Sequence, residues 1–365
     1  MGTETVMTRT PLAVRGTGSA LPGAPLSTPE LLRRTARHLP EGAPALALRI
    51  AKRLGIVNRH MVRSFLEPQE TPRAEDSAPK LASRALSAAL SAAHCDVNGV
   101  RMLIGHTTTP HTLLPGNIAW VAEELAYRGA HIELRQACSG FAAATLLGAS
   151  LAAIGIDAVA IVGSETGSVF LDLRHIGADK SQLINLVQMG DGAGAILLSS
   201  LRHAMSARIE LSFYGSLEGK IPPGISMTQG GSGFPHGKAT RTPHFVQDFQ
   251  AVRTRGVELL RAGLRIAVES GVVAESIDWW IVHPANGRMA DYAAKLLPLP
   301  EEKIVCEAAE LGNLGSAAIW VALDRLRSSG KLALGDRVMV LGAEASKYMF
   351  GGFLYVHGPQ EPESS

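Results

Sequence analysis

Three side chains in this sequence, Cys138, His283 and Asn313, lie 145 and 30 positions apart and have the types needed for covalent acyl transfer. A thiol is a strong nucleophile only as thiolate, and a free one near pKa 8.5 is ionised to about a few per cent at neutral pH. Cys138 precedes Ser139-Gly140 and an all-apolar stretch, which places it at the first turn of a helix. Unsatisfied backbone N–H groups and the positive dipole end favour a thiolate there. His283 closes the strand-like run Ile277-Asp-Trp-Trp-Ile-Val-His283. An imidazole at that point can hold a thiolate or present Nε2–H to a developing oxyanion. Asn313 adds a neutral amide donor, better suited to stabilising an enolate or thioester oxyanion than to taking a proton. Singly, each has a bland reading as an inert core thiol, a satisfied core histidine or a turn residue.

An internal repeat removes the coincidence. In the first half a strand is expected over 99–106, then the segment 132–140 carrying Cys138, an apolar helix to about Ala153, and a strand over 158–165. The second half repeats the order with a strand over 277–283, the segment 304–315 carrying Asn313, a helix over 316–326 and a strand over 337–344. The offsets are nearly constant: His106 to His283 is 177, Cys138 to Asn313 is 175 and Gly163 to Gly342 is 179. Alternating strands and helices in two equivalent halves imply an α/β fold with a pseudo-twofold axis. A helix without a polar face must be buried on all sides, so the two apolar helices are expected between two sheets. The expectation is a thiolase-like five-layered αβαβα sandwich, with one half over 1–203 and the other over 204–365. Matching strand-to-helix turns then meet at the axis, bringing Cys138 and Asn313 into one site.

Composition excludes several other classes. The 365 residues carry 46% hydrophobic and 19% charged side chains, enough apolar surface for one large or two medium folded units. Thirty-five basic against 33 acidic residues leave a net charge of +2 with no dense basic run, which argues against nucleic acid as a partner. Three cysteines make no disulfide framework and no zinc-ligand spacing, and no metal is expected. With no apolar leader over 1–7, the chain reads as cytoplasmic. The apolar stretch 141–163 is broken at Gly155-Ile-Asp157, so a membrane span is not expected. The glycine-rich Gly190-Asp-Gly-Ala-Gly194 precedes a strand instead of opening a helix, which argues against a dinucleotide site. The loop 230–238 fails phosphate-loop spacing and reads as a surface or entrance loop, and the polar tail 358–365 is expected to fray.

The segment Gln136-Ala-Cys-Ser-Gly-Phe141, the triplet His283-x-Ala-Asn286, the turn Gly312-Asn313-x-x-Ser-Ala-Ala318 and the run Met189-Gly-Asp-Gly-Ala-Gly-Ala-Ile196 together resemble β-ketoacyl-acyl-carrier-protein synthase III of the thiolase superfamily. The resemblance spans about residues 12–357. It implies that Cys138 takes an acyl group from a coenzyme A or carrier-protein thioester. His283 and Asn313 would then assist decarboxylation of a malonyl thioester that attacks it. It further implies that Asn286 and Arg288 flank a pantetheine channel, that the chain is a homodimer, and that Leu114 borders the partner's acyl pocket. No cofactor is implied beyond coenzyme A or phosphopantetheine thioesters as substrates, and the pathway would be fatty-acid-like or polyketide secondary metabolism.

Departures concentrate on the acceptor side. Where the family usually has a run of glycines completing the oxyanion hole, this chain reads Glu344-Ala-Ser-Lys-Tyr348, and side chains at Ser346 and Lys347 change that loop. Phe249-Gln-Ala-Val252 stands where relatives often carry Met-x-Gly, and Pro284 replaces a common glutamine. The expected reaction is decarboxylative Claisen condensation; the alternative is transfer of the same acyl group to a hydroxyl or amine. A papain-type protease shares the Cys–His–Asn order but lacks the local signatures. A catalytically silent partner subunit would be expected to lose one of the three residues.

Overall fold

The computed structural model describes residues 3–66, 73–173, 176, 180–217, 219–227, 231 and 245–359. Two five-stranded arrays carry the repeat. The first runs, in spatial order, Leu12–Ala20, Gly192–Ser200, Val159–Glu165, Met102–His106 and Ala130–Leu134. The second runs Arg208–Leu217, Met349–Val356, Arg337–Glu344, Trp279–Val282 and Ile304–Val305. Parallel and antiparallel pairings fall at equivalent places in both. The arrays are joined at one corner, where Leu12 pairs with Ile209 and Ala13 with Arg208, so the expected two sheets form one continuous hydrogen-bonded surface. The strand Thr3–Thr8 adds to the edge of the second array.

The strand Val159–Glu165 is buried at every position, as a strand covered by helices on both faces must be. Helices Gly140–Ala153 and Ala318–Ser328 lie between the arrays, with Phe141, Ala144, Ile319, Trp320 and Leu323 packed against inward residues such as Ile161, Ile196, Val340 and Phe353. Helices Ala78–Ala92 and Asn117–Glu124 cover the outer face of the first array. Phe249–Glu269 and Met289–Leu296 cover the second. These are the five layers. The helix Gly140–Ala153 is not buried all round: Leu147 is 38% exposed and Ser150 is exposed too, because neither array reaches that flank of the central layer. No helix among the described residues is long and apolar enough to cross a membrane.

Two glycines set how closely strands approach the central turns, and they do so crosswise. A Cβ on Gly163, in the first array, would lie 2.2 Å from the carbonyl of Ser316 in the second half. A Cβ on Gly342, in the second array, would lie 2.9 Å from the carbonyl of Cys138 in the first half and 2.3 Å from the Phe141 ring. Both obstacles include backbone, so neither can swing aside. Gly163→Ala is expected to destabilise the protein by about 2 kcal/mol through overpacking, read as a lower urea midpoint; an unchanged midpoint would refute this account of the approach.

The tail departs partly from expectation. The carbonyl of Pro359 accepts from Ala207 N–H at 2.9 Å, so the chain is held at least that far, while 360–365 lie outside the described residues. Of the loop 230–238, only Gly231 is described.

Candidate active site

Cys138 lies in the turn that opens the helix Gly140–Ala153, with Ser139 as its N-cap residue. His283 follows the strand Trp279–Val282, and its N–H donates to Leu341 O at 2.8 Å, beside the Gly342 that faces the Cys138 carbonyl. Asn313 is fixed by the glycine-rich run that resembled a nucleotide loop. Its N–H donates to Gln188 O at 2.8 Å, and its carbonyl accepts from Gly190 N–H at 3.0 Å. A Cβ on Gly190 would lie 2.0 Å from Leu311 O, so only glycine allows this approach. The run is therefore a structural part of the site. Asp191 anchors it from below, fully buried, accepting from Val62 N–H at 2.8 Å and Ser168 N–H at 3.0 Å.

The side chains of His283 and Asn313 are both presented as neutral groups. Burial lowers the His283 pKa to about 4, and neither ring nitrogen has a hydrogen-bond partner among the described residues. Asn313 Oδ1 accepts from Gly315 N–H at 3.0 Å, which fixes the amide orientation and leaves Nδ2–H as its outward donor. Gly315 has φ +51°, and a Cβ there would lie 2.7 Å from a Glu165 oxygen. His106, equivalent to His283 by the repeat, has the opposite fate: it is 1% exposed, lowered by burial to about 3, and accepts from Trp320 Nε1–H at 2.8 Å. One half's histidine is free, the other's is built into the core.

The thiol corrects an expectation. Cys138 keeps some exposure, yet burial pushes its pKa well up, with further upward pushes from the carboxylates of Glu344 and then Glu165. A carboxylate sits at the helix start and opposes its positive end. Glu344 Oε2 already accepts from Ala137 N–H and Ser139 N–H, each at 3.1 Å, and from Ser139 Oγ–H at 2.6 Å. Glu165 does the equivalent in the other half, accepting from Ser316 N–H at 3.1 Å and Ser316 Oγ–H at 2.7 Å through Oε2. Its Oε1 accepts from Thr108 Oγ1–H at 2.9 Å and Thr109 Oγ1–H at 2.6 Å. Each glutamate ends a strand of one half and caps the turn of the other. Sequence reasoning passed over both, although they share the 179-residue offset of Gly163 and Gly342.

The remaining expected residues divide. Ser346 is drawn to the nucleophile turn, donating its hydroxyl to Glu344 Oε1. Asn286 spends its side-chain oxygen on Arg288 N–H at 3.0 Å, and its carbonyl accepts from Cys306 Sγ at 3.3 Å. Cys306 lies just past the strand Ile304–Val305, not within it. Arg288 is exposed and packs on Gly55, in a loop the sequence had not linked to it. Leu114 is 88% exposed and is not brought to Cys138 within this chain. Among the described residues no group of three His, Cys, Asp or Glu side chains could hold a metal ion.

The two arrays, the paired central helices and the Cys138 turn define a thiolase-fold protein. Two family descriptions match: 3-oxoacyl-[acyl-carrier-protein] synthase III over residues 132–215, and its C-terminal part over residues 268–354. The chain belongs to the ketosynthase III family of the thiolase superfamily. Similar solved structures include a tetronic acid condensing enzyme, 25% identical with a TM-score of 0.81 over 95% of this chain and 100% of that one. Another is 3-oxoacyl-(acyl carrier protein) synthase III of Pseudomonas aeruginosa, 26% identical with a TM-score of 0.78 over 96% and 99% of the two chains. The priming β-ketosynthase of a polyketide pathway shares the fold at 22% identity, with a TM-score of 0.78 over 96% and 97%.

Proposed function

We propose that Cys138 accepts an acyl group from a coenzyme A or carrier-protein thioester and then passes it, by decarboxylative condensation, to a malonyl thioester. One observation carries the second half: Gly315 N–H holds Asn313 Oδ1, so the amide Nδ2–H is the outward donor, and His283 is held neutral by burial. Neutral donors suit an oxygen that becomes negative only during reaction. In the first step neutral His283 takes the Cys138 thiol proton, sulfur attacks the acyl carbonyl, and the departing thiolate recovers that proton from His283. In the second, the malonyl group loses carbon dioxide. Its electron pair becomes an enolate whose oxygen is held by His283 Nε2–H and Asn313 Nδ2–H. The enolate carbon attacks the acyl carbonyl and expels Cys138 as thiolate.

A second reading, transfer to a hydroxyl or amine with His283 as general base, is supported by the filled 344–347 loop on the acceptor side. Carboxyl-labelled malonyl thioester separates the two. The first reading expects label released as carbon dioxide only from acyl-loaded enzyme; acyl transfer to an alcohol or amine with no release overturns it. A homodimer belongs to the same reading, supported by the exposed Leu113 and Leu114 and by Ile132 on the edge strand Ala130–Leu134. Light scattering is expected to give twice the 38.5 kDa chain mass.

A further inference from the structure

From the geometry around the nucleophile turn we infer that Glu344 is a positioning residue for Cys138, its carboxylate clasping the backbone on both sides of the cysteine to the loop 345–347. This rests on the reading of Cys138 as nucleophile. Glu344 is 2% exposed and ends the strand Arg337–Glu344. One oxygen takes the N–H groups of Ala137 and Ser139 together with the Ser139 hydroxyl, and the other takes the Ser346 hydroxyl. The residues before and after the cysteine are thus fixed to one rigid strand end, while the cysteine between them makes no bond to it. The family's usual glycines at this point have no side chain with which to do this. A loop of glycines supplies N–H groups alone; here the loop holds a charge, and the four hydrogen bonds settle where that charge lies relative to the sulfur.

A negative charge at that distance has a cost and a use. It opposes ionisation of the sulfur, so Cys138 rests as a thiol and depends on a neighbouring base at the moment of attack. The charged groups that act on the thiol are Glu344 and then Glu165, from the two central strand ends, while His106 lies beneath Gly140. Tyr214, on the strand Arg208–Leu217, accepts from Gln136 Nε2–H at 2.6 Å. Lys347 is turned away, its ammonium donating to Ile221 O at 3.0 Å. His283 is a base whose two ring nitrogens both lack a hydrogen-bond partner among the described residues, whereas the two carboxylates are already engaged, so the proposed reading makes it the proton acceptor. His106 is already bonded to Trp320.

The experiment is the pH profile of iodoacetamide alkylation at Cys138, read by peptide mass in the full chain, with Cys95 and Cys306 as internal references. Glu344→Gln keeps the acceptor oxygen for the turn and removes the charge. Its Cys138 profile is expected to move to lower pH, with alkylation at pH 7 at least about threefold faster and the two reference cysteines unmoved. Glu344→Ala removes the clasp as well, and kcat for acyl transfer is expected to fall about tenfold or more with KM little changed. If the alanine variant does not fold, the glutamine profile decides. A Cys138 profile in Glu344→Gln identical to wild type overturns the inference. Acyl transfer absent in the wild type while the profile still moves would overturn the functional reading and leave the positioning role standing.

Discussion

Cys138→Ala is expected to abolish acyl transfer altogether. Incubated with a panel of acyl-coenzyme A thioesters, the wild-type chain gains the mass of the acyl group and the variant gains none. Activity is expected to fall at least about 10⁴-fold, because neutral donors cannot replace a missing nucleophile. The two other cysteines do not compensate. Cys95 donates to Asp96 O and Cys306 to Asn286 O, each at 3.3 Å, and neither lies at a turn shared by the two halves. An adduct of equal size in both proteins would move the nucleophile away from Cys138. An adduct from no donor, in wild type as in variant, would favour a silent partner subunit.

The repeat made most of the fold legible. The strand over 337–344 and the helix to Ala153 appear where apolar runs end at glycine or a charged residue, signals that are local. Legible too was the placement of Cys138 and Asn313 at equivalent turns, each just before a central helix, because equal offsets imply equivalent positions around an axis. What local signals could not show was the crosswise placement of acids. Glu165 and Glu344 end their strands like ordinary solvated residues, and only the assembled layers turn each one into the opposite half's turn. The protonation of Cys138 was therefore misjudged. A helix start alone favours a thiolate, but here a carboxylate more than 200 residues away in sequence holds the N-cap N–H of Ser139 and sets its negative charge at that turn. The glycine-rich run at 190–194 leads into a strand, as expected, yet its purpose, fixing the backbone of Asn313, depended on contacts no spacing rule describes.

These buried acids also change how the catalytic pair must work. In a site whose thiolate is stabilised in advance, the histidine could be spared for the acceptor. Here desolvation and two carboxylates oppose ionisation of the sulfur, so in the proposed mechanism His283 serves twice, first as base for the thiol and then as donor to the enolate. Asn313 serves once. Loss of one is therefore expected to look different from loss of the other. Asn313→Ala should still form the acyl-enzyme at near wild-type rate, while condensation falls about 10²- to 10³-fold for want of one oxyanion donor. His283→Ala should slow both steps, condensation the more, by about 10³-fold or beyond. Equal loss of both half-reactions in Asn313→Ala would contradict this division.

The second large effect is in pH dependence, and its sign follows from burial. His283 is driven down to about 4, so it stays unprotonated, and competent as base, throughout the range in which an ordinary imidazole near 6.5 would gain its proton. The acid limb of acyl transfer is accordingly expected near pH 4, with no loss between about 7 and 5, and His283→Ala should remove that limb along with most of the rate. Stability runs differently. Both His283 and His106 titrate lower folded than unfolded, so the unfolded chain binds more protons as pH falls below about 6.5. Their contribution is fully present above that value and is lost progressively toward about pH 4 and about pH 3. Between pH 6.5 and 5 the protein should thus lose urea resistance while its initial acyl-transfer rate holds. An activity limb near 6.5 in protein that remains folded would show that His283 is solvated and that the site is far less enclosed than its two unpartnered nitrogens indicate.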